Sequence, residues 1–180
     1  MRFEQADAEA LPFDPQSFDA VVNGFGMCHF PSPDIALREA FRVLKAGGCI
    51  AFTVWDKRAV GFGAVYAAIR AHGSLNVGLP AGPNFFLLSD PEQGTKALLT
   101  AGFVSPSCRQ VPQVWRVSDP DEVFQSLVEG TVRAAATIRA QSPPARDAIR
   151  AVTRNAVAGY RRGNSYEVPM PATLATAVKP

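Results

Sequence analysis

Residues 17–55 read SFDAVVNGFGMCHFPSPDIALREAFRVLKAGGCIAFTVW, from Ser17 to Trp55, and their pattern decides the fold. Phe18 to Val22 is a short apolar run closed by Asn23-Gly24, as for a strand buried on both faces. Pro31-Ser32-Pro33-Asp34 then opens a helix. Ser32 is a capping residue, Pro33 suits the first helical position, and Asp34 meets the positive end of the helix dipole. Leu37, Ala40, Phe41 and Leu44 recur at helical spacing and make one apolar stripe. Arg42 and Lys45 fall in the last turn, and Gly47-Gly48 stops the helix. Cys49 to Trp55 is a second apolar, β-rich run. Strand, helix and strand in succession form a βαβ unit, which predicts parallel strands joined by a right-handed crossover.

Upstream of this unit stands Gln5-Ala6-Asp7-Ala8-Glu9-Ala10-Leu11-Pro12-Phe13. Together with Phe18-Asp19-Ala20-Val21-Val22 and Glu39-Ala40-Phe41-Arg42-Val43-Leu44-Lys45-Ala46-Gly47-Gly48, it resembles the class I methyltransferases that use S-adenosylmethionine. The family carries a D-A-E-x-L-P-F loop after its third strand and E-x-x-R-V-L-K-x-G-G before its fifth. The resemblance implies an α/β, Rossmann-like, mostly parallel sheet with helices on both faces. It also implies that the family's first two strands, with their glycine-rich loop and ribose-binding acid, lie upstream of Met1. Arg2 to Gln5, a short strand at the very start of the chain, would then be the third strand of a domain lacking its N-terminal part.

Composition narrows the classes further. The chain has 180 residues, 47% of them hydrophobic and 19% charged, with a net charge of +2. That is ordinary for a globular protein and does not mark a nucleic-acid or membrane binder. Three cysteines without C-x-x-C spacing suggest neither a disulfide framework nor a zinc site, so no metal and a cytoplasmic location are expected.

Downstream, Val60 to His72 reads as a helix and Gly73 to Asn84 as a loop rich in Gly and Pro. Ser89-Asp90-Pro91 opens a helix that ends at Ala101-Gly102-Phe103, and the same A-G-F ending recurs in the family. Ser107 to Val117 reads as a strand, with Pro106 and Pro112 marking an edge or bulge. Residues 119–162 read as helices broken at Pro143-Pro144, the second running from Ala145 to Tyr160. Residues 165–179 read as one final strand. The expectation is a single, partial methyltransferase domain over 1–180, with 119–162 covering the substrate side.

Several residues are candidates for chemistry. The resemblance gives Asp7 the adenine amino group and the Ala8 N–H a ring nitrogen; the alternative is a turn aspartate that binds its own backbone. Asn23, Gly24 and Phe25 lie at the carboxyl end of a central strand, where open α/β sheets bind ligands, and so are cofactor-lining candidates. His29 is the acid/base candidate, because its charge changes near neutral pH; otherwise it helps cap the Ser32-Pro33 helix start. Gly24-Phe25-Gly26-Met27-Cys28-His29 imitates a dinucleotide loop, but His29 replaces the third glycine and the helix waits until Pro33. Cys28 lacks an orienting partner for a nucleophile. Glu39 and Arg42, three apart, read as a surface ion pair. Arg146, Arg150 and Arg154 form a basic stripe without interleaved aromatics, so no nucleic acid is expected.

The function expected is methyl transfer from S-adenosylmethionine to a small-molecule acceptor. The alternative is a non-catalytic remnant that acts as an interaction module. Without the family's first strands, Ala20 to Asn23 would be an exposed apolar edge, which predicts a homodimer through that edge.

Overall fold

The computed structural model describes residues 3–180. The elements run β1 (Phe18–Gly24), α1 (Pro33–Val43), β2 (Leu44–Trp55), α2 (Val60–His72), α3 (Pro91–Thr100), β3 (Val104–Val111), β4 (Val114–Val117), α4 (Glu122–Gly130), α5 (Arg133–Arg139), α6 (Pro143–Ala158), β5 (Arg161–Arg162), β6 (Ser165–Pro169) and β7 (Ala172–Val178), with short 3-10 turns at Met27–His29 and Leu87–Ser89. The chain divides into two compact units. One holds the residues up to Lys57, Gly82–Val111 and Ala172–Pro180; the other holds Arg58–Ala81 and Pro112–Pro171.

The first unit is built on the predicted βαβ element. β1 and β2 pair in parallel, with Ala20 opposite Cys49 and Gly24 opposite Thr53. Pro33 and Asp34 sit in the first turn of α1 as their chemistry requires, but the Ser32 side chain makes no capping bond. The Ser32 carbonyl accepts the Ile35 N–H at 2.9 Å. The helix stops earlier than Gly47-Gly48: Leu44 is already extended, and both glycines join β2. Gly47 has φ +76°. A Cβ on Gly48 would stand 3.0 Å from the Asp19 carbonyl and 2.9 Å from that of Lys45, so β2 needs a glycine there to lie against β1.

The sheet order is β1-β2-β7-β3, with β7 antiparallel to both of its neighbours. Along β2, Ile50, Phe52 and Val54 alternate onto one buried face. They join Leu37 and Ala40 of α1, Leu98 of α3 and Phe103 in a single core. Each of the Leu, Ile, Val and Phe side chains among them, fully buried, stabilises by about 1.5–3 kcal/mol relative to exposure. The Asp90 carboxylate caps α3 by accepting from the Glu92 N–H at 3.0 Å. The architecture is the expected α/β, Rossmann-like class, with β7 making the sheet mixed.

The other unit holds a three-stranded antiparallel sheet, β4-β6-β5, together with α2, α4, α5 and α6. Its cores include Val65 and Ile69 of α2 with Ile138 and Ile149, and Val117 with Val157 and Val168. α6 begins at Pro143: the two prolines occupy its first turn, after a Ser142 N-cap, rather than breaking a helix. Asp121, 4% exposed, accepts from Arg150 Nε at 2.7 Å and again from Nη2, and from Gln125 Nε2 at 2.8 Å. One arginine of the basic stripe is therefore an internal fastener.

Three further expectations are corrected. Ser107 to Val117 is not one strand. Pro112, which lacks an N–H, stands between β3 and β4, which enter different sheets. The bulge near Pro106 does occur, as a register shift between Val104 and Ser107 with Ser105 at φ +52°. The segment 165–179 likewise divides at Met170-Pro171 into β6 and β7. Of the strand over Arg2 to Gln5, Arg2 lies outside the described residues and Phe3 to Gln5 are not in a strand. Among the described residues, no helix is long and apolar enough to cross a membrane.

Candidate functional site

The stretch before β1 is laid along α1 by a series of side-chain clamps. Arg42, in the helix's last turn, donates from Nη1 to the Phe13 carbonyl at 2.8 Å and from Nη2 to the Leu11 carbonyl at 2.9 Å. Glu39, one turn earlier, accepts the Leu11 N–H at 2.9 Å and pairs with Arg42 through two bonds of 2.7 Å. At the helix start, Glu9 Oε1 accepts the Ser32 N–H at 2.7 Å. Phe13, Leu11 and Glu9 thus meet α1 in order from its last turn to its first. Asp7 and Ala8 emerge at the N-terminal end of α1, the end that Asn23 to Phe30 reach from the carboxyl tip of β1. The pairing of Glu39 and Arg42 is more than a surface ion pair. The Arg42 hydrogen bond holds the Glu39 carboxyl below its usual range. Sequence shows the three-residue spacing but not the carbonyls it serves, because these lie 29 and 31 residues away.

Asp7 does bind its own backbone: Oδ1 accepts the Glu9 N–H at 2.9 Å, and the Asp7 carbonyl accepts the Ala10 N–H at 3.1 Å. Among the described residues, Asp7 Oδ2 and the Ala8 N–H take part in no hydrogen bond. A free acceptor thus stands one residue from a free donor on a braced turn. Ala8 packs on the core while Asp7 is exposed.

Asn23 closes the next turn, its Oδ1 accepting from Gly26 N at 2.8 Å and Met27 N at 3.0 Å. Gly24 is exposed, with open space where a Cβ would stand. Phe25 has φ +58°, a conformation that costs a bulky residue about 1–3 kcal/mol. Its N–H is held by the Thr53 carbonyl at 3.0 Å, and its ring stacks on Trp55 at 4.2 Å and 24°. Two parallel strands therefore end in one aromatic stack, a partnership across 30 residues that no local motif announces. Asp56, directly after β2, is a further polar group at these tips. It is 3% exposed and accepts from Gln110 Nε2 at 3.3 Å.

His29 is exposed, and its ring meets Phe85 edge-on at 5.4 Å. It does not cap the helix start; Glu9 takes the Ser32 N–H instead. The Cys28 thiol is buried, donates to the Phe25 carbonyl at 3.2 Å, and is pushed up by burial, so it is no thiolate nucleophile. A cavity of about 230 Å³ opens beside this turn, lined in part by Phe30, Pro31, Pro33, Pro83, Phe85 and Leu88. None of Asp7, Ala8, Asn23, Gly24, Phe25 or His29 lines it.

Residues 1–52 match the family model described as a methyltransferase domain. A ubiquinone/menaquinone biosynthesis C-methyltransferase, UbiE, of Rhizobium rhizogenes is 54% identical over 48 residues, 27% of this chain and 19% of that protein. The chain spans about a fifth of the length of the curated relatives it matches. Among solved structures, a methyltransferase-like protein of Bacillus halodurans superposes with a TM-score of 0.53 at 19% identity, over 98% of this chain and 70% of the other. The YcgJ protein of Bacillus subtilis gives a TM-score of 0.50 at 19% identity, over 99% and 70%. Over residues 1–52 the chain is thus similar in sequence to a methyltransferase domain, and over nearly its whole length it is similar in fold to these solved structures.

Proposed function

We propose that this chain takes part in methyl transfer from S-adenosylmethionine to a small-molecule acceptor, and that its braced Asp7-Ala8 turn reads the adenine. The observation that carries the proposal is the unclaimed pair, Asp7 Oδ2 and the Ala8 N–H. The Watson–Crick edge of adenine offers an amino donor beside a ring-nitrogen acceptor, which is the complement of that pair. Asn23, Gly24 and Phe25 would line the cofactor from the tip of β1, in keeping with ligand binding at the carboxyl ends of open α/β sheets. When bound, the cofactor supplies an electrophilic methyl on a sulfonium. The chain's part is to hold it in line with the acceptor and keep water out. His29, on the same turn, is the proposed group to take a proton from an acidic acceptor. The curated relatives named as quinone-biosynthesis methyltransferases are in keeping with a small-molecule acceptor.

Titration calorimetry with S-adenosylmethionine tests this. Binding is expected, with Asp7→Ala weakening it about tenfold, the value of one hydrogen bond to a charged group at a solvated site. No heat at millimolar cofactor, or an Asp7→Ala protein that binds equally well, refutes it.

A second reading, an interaction module, rests on β1. It is the outer strand of its sheet, with Val22 78% exposed. An unpaired apolar edge favours pairing with a second copy. Sedimentation velocity would then show a dimer that Val22→Lys dissociates; a monomer across micromolar concentrations removes this reading.

A further inference from the structure

We propose that the 230 Å³ cavity beside the Met27–His29 turn is a binding site for one small, uncharged, planar molecule of phenol size. Its identification with the methyl acceptor's site rests on the methyl-transfer reading; the binding itself does not.

The chemistry of the walls selects the ligand. No Asp, Glu, Lys or Arg lines the cavity, so a charged ligand would lose its hydration without compensation. Phe30, Phe85, Pro31, Pro33 and Pro83 present flat, apolar surfaces, which suit the faces of a ring. The three prolines also fix φ, so little freedom remains to be lost when a ligand enters. An apolar cavity of about 150 Å³ is enough for benzene, so 230 Å³ admits one ring with a short substituent.

One polar side chain in the lining sets the orientation. Asn84 is the only amide in the lining, and its side chain has no hydrogen-bond partner among the described residues. His29 does not line the cavity, but its ring meets the lining residue Phe85 edge-on at 5.4 Å. Its ring nitrogens likewise bond to nothing among the described residues. An amide can meet one ligand hydroxyl as donor or as acceptor. A phenol therefore satisfies both the walls and the Asn84 amide.

The test is titration of the chain with 4-propylphenol, followed by amide chemical shifts, with 4-propylbenzoate as the charged counterpart. The phenol is expected to bind with a Kd on the order of 0.1–1 mM, as a ligand of about ten heavy atoms should. The perturbed amides should be those of Phe30, Asn84 and Phe85, and the benzoate should bind at least tenfold more weakly. Leu87→Trp, which fills the cavity from a residue that is 38% exposed, should abolish phenol binding while leaving cofactor binding intact. Asn84→Ala, on the same exposed segment, should weaken it about fivefold. Absence of phenol binding at millimolar concentration, equal binding of the benzoate, or unchanged binding to Leu87→Trp would each overturn the proposal. Phenol binding without cofactor binding would uphold the site and defeat only its link to methyl transfer.

Discussion

Glu39→Ala should loosen the Asp7–Phe13 stretch without unfolding the sheet. Glu39 is 19% exposed in its side chain and supplies the acceptor for the Leu11 N–H at 2.9 Å. A hydrogen bond to a charged group contributes about 1.5–3 kcal/mol, and the low end applies here because water can reach the site. Removing it should raise local opening at Leu11 by about tenfold, since 1.4 kcal/mol is a factor of ten. Arg42 keeps its bonds to the Phe13 and Leu11 carbonyls, so the loop should loosen rather than detach. Amide hydrogen exchange resolves the difference, because local and global openings expose different sets of amides. Protection of Leu11 should fall, while Ile50, Phe52 and Val54 of the buried β2 face should keep theirs. Cofactor affinity should drop in parallel, because the Asp7-Ala8 turn is carried on this stretch. If Leu11 protection stays within about threefold, or if β2 amides lose as much as Leu11 does, the clamp does not act as described.

Other outcomes follow from the same geometry. Glu39 and Asp121 both have carboxyls held low by arginine hydrogen bonds, so their stabilisation is complete above the ordinary carboxylate range. It is lost as pH falls from that range down through the lowered native pKa values, and acid titration by circular dichroism should show less acid sensitivity in Glu39→Gln and Asp121→Asn than in the parent. Asp121→Ala strips Arg150 and Gln125 of their shared, buried acceptor and should destabilise its unit by about 2–3 kcal/mol in urea unfolding. Leu98→Ala opens a cavity in the core of the first unit and should cost about 2–5 kcal/mol by the same measurement. Gly48→Ala drives a methyl group against the Asp19 and Lys45 carbonyls and should lower the thermal midpoint, with the β1 amides losing protection first.

The βαβ unit was legible because its determinants are local. A proline at a helix start, a stripe at helical spacing and two apolar runs each act within a few residues, and α2 matched its predicted limits for the same reason. The prolines at 112 and 143–144 were visible, yet their effect was not. A residue without an N–H can end a strand, mark a bulge or begin a helix, and only the neighbouring elements choose among these. The site divides in the same way. Sequence alone singled out Asp7, Ala8 and the Asn23–Phe25 corner through short motifs. It was silent on the clamps from Glu9, Glu39 and Arg42, on the Phe25–Trp55 stack and on the ring-sized cavity. Each of these joins residues more than 20 positions apart, and such contacts exist only once the chain has closed its sheet and laid the earlier loop along α1.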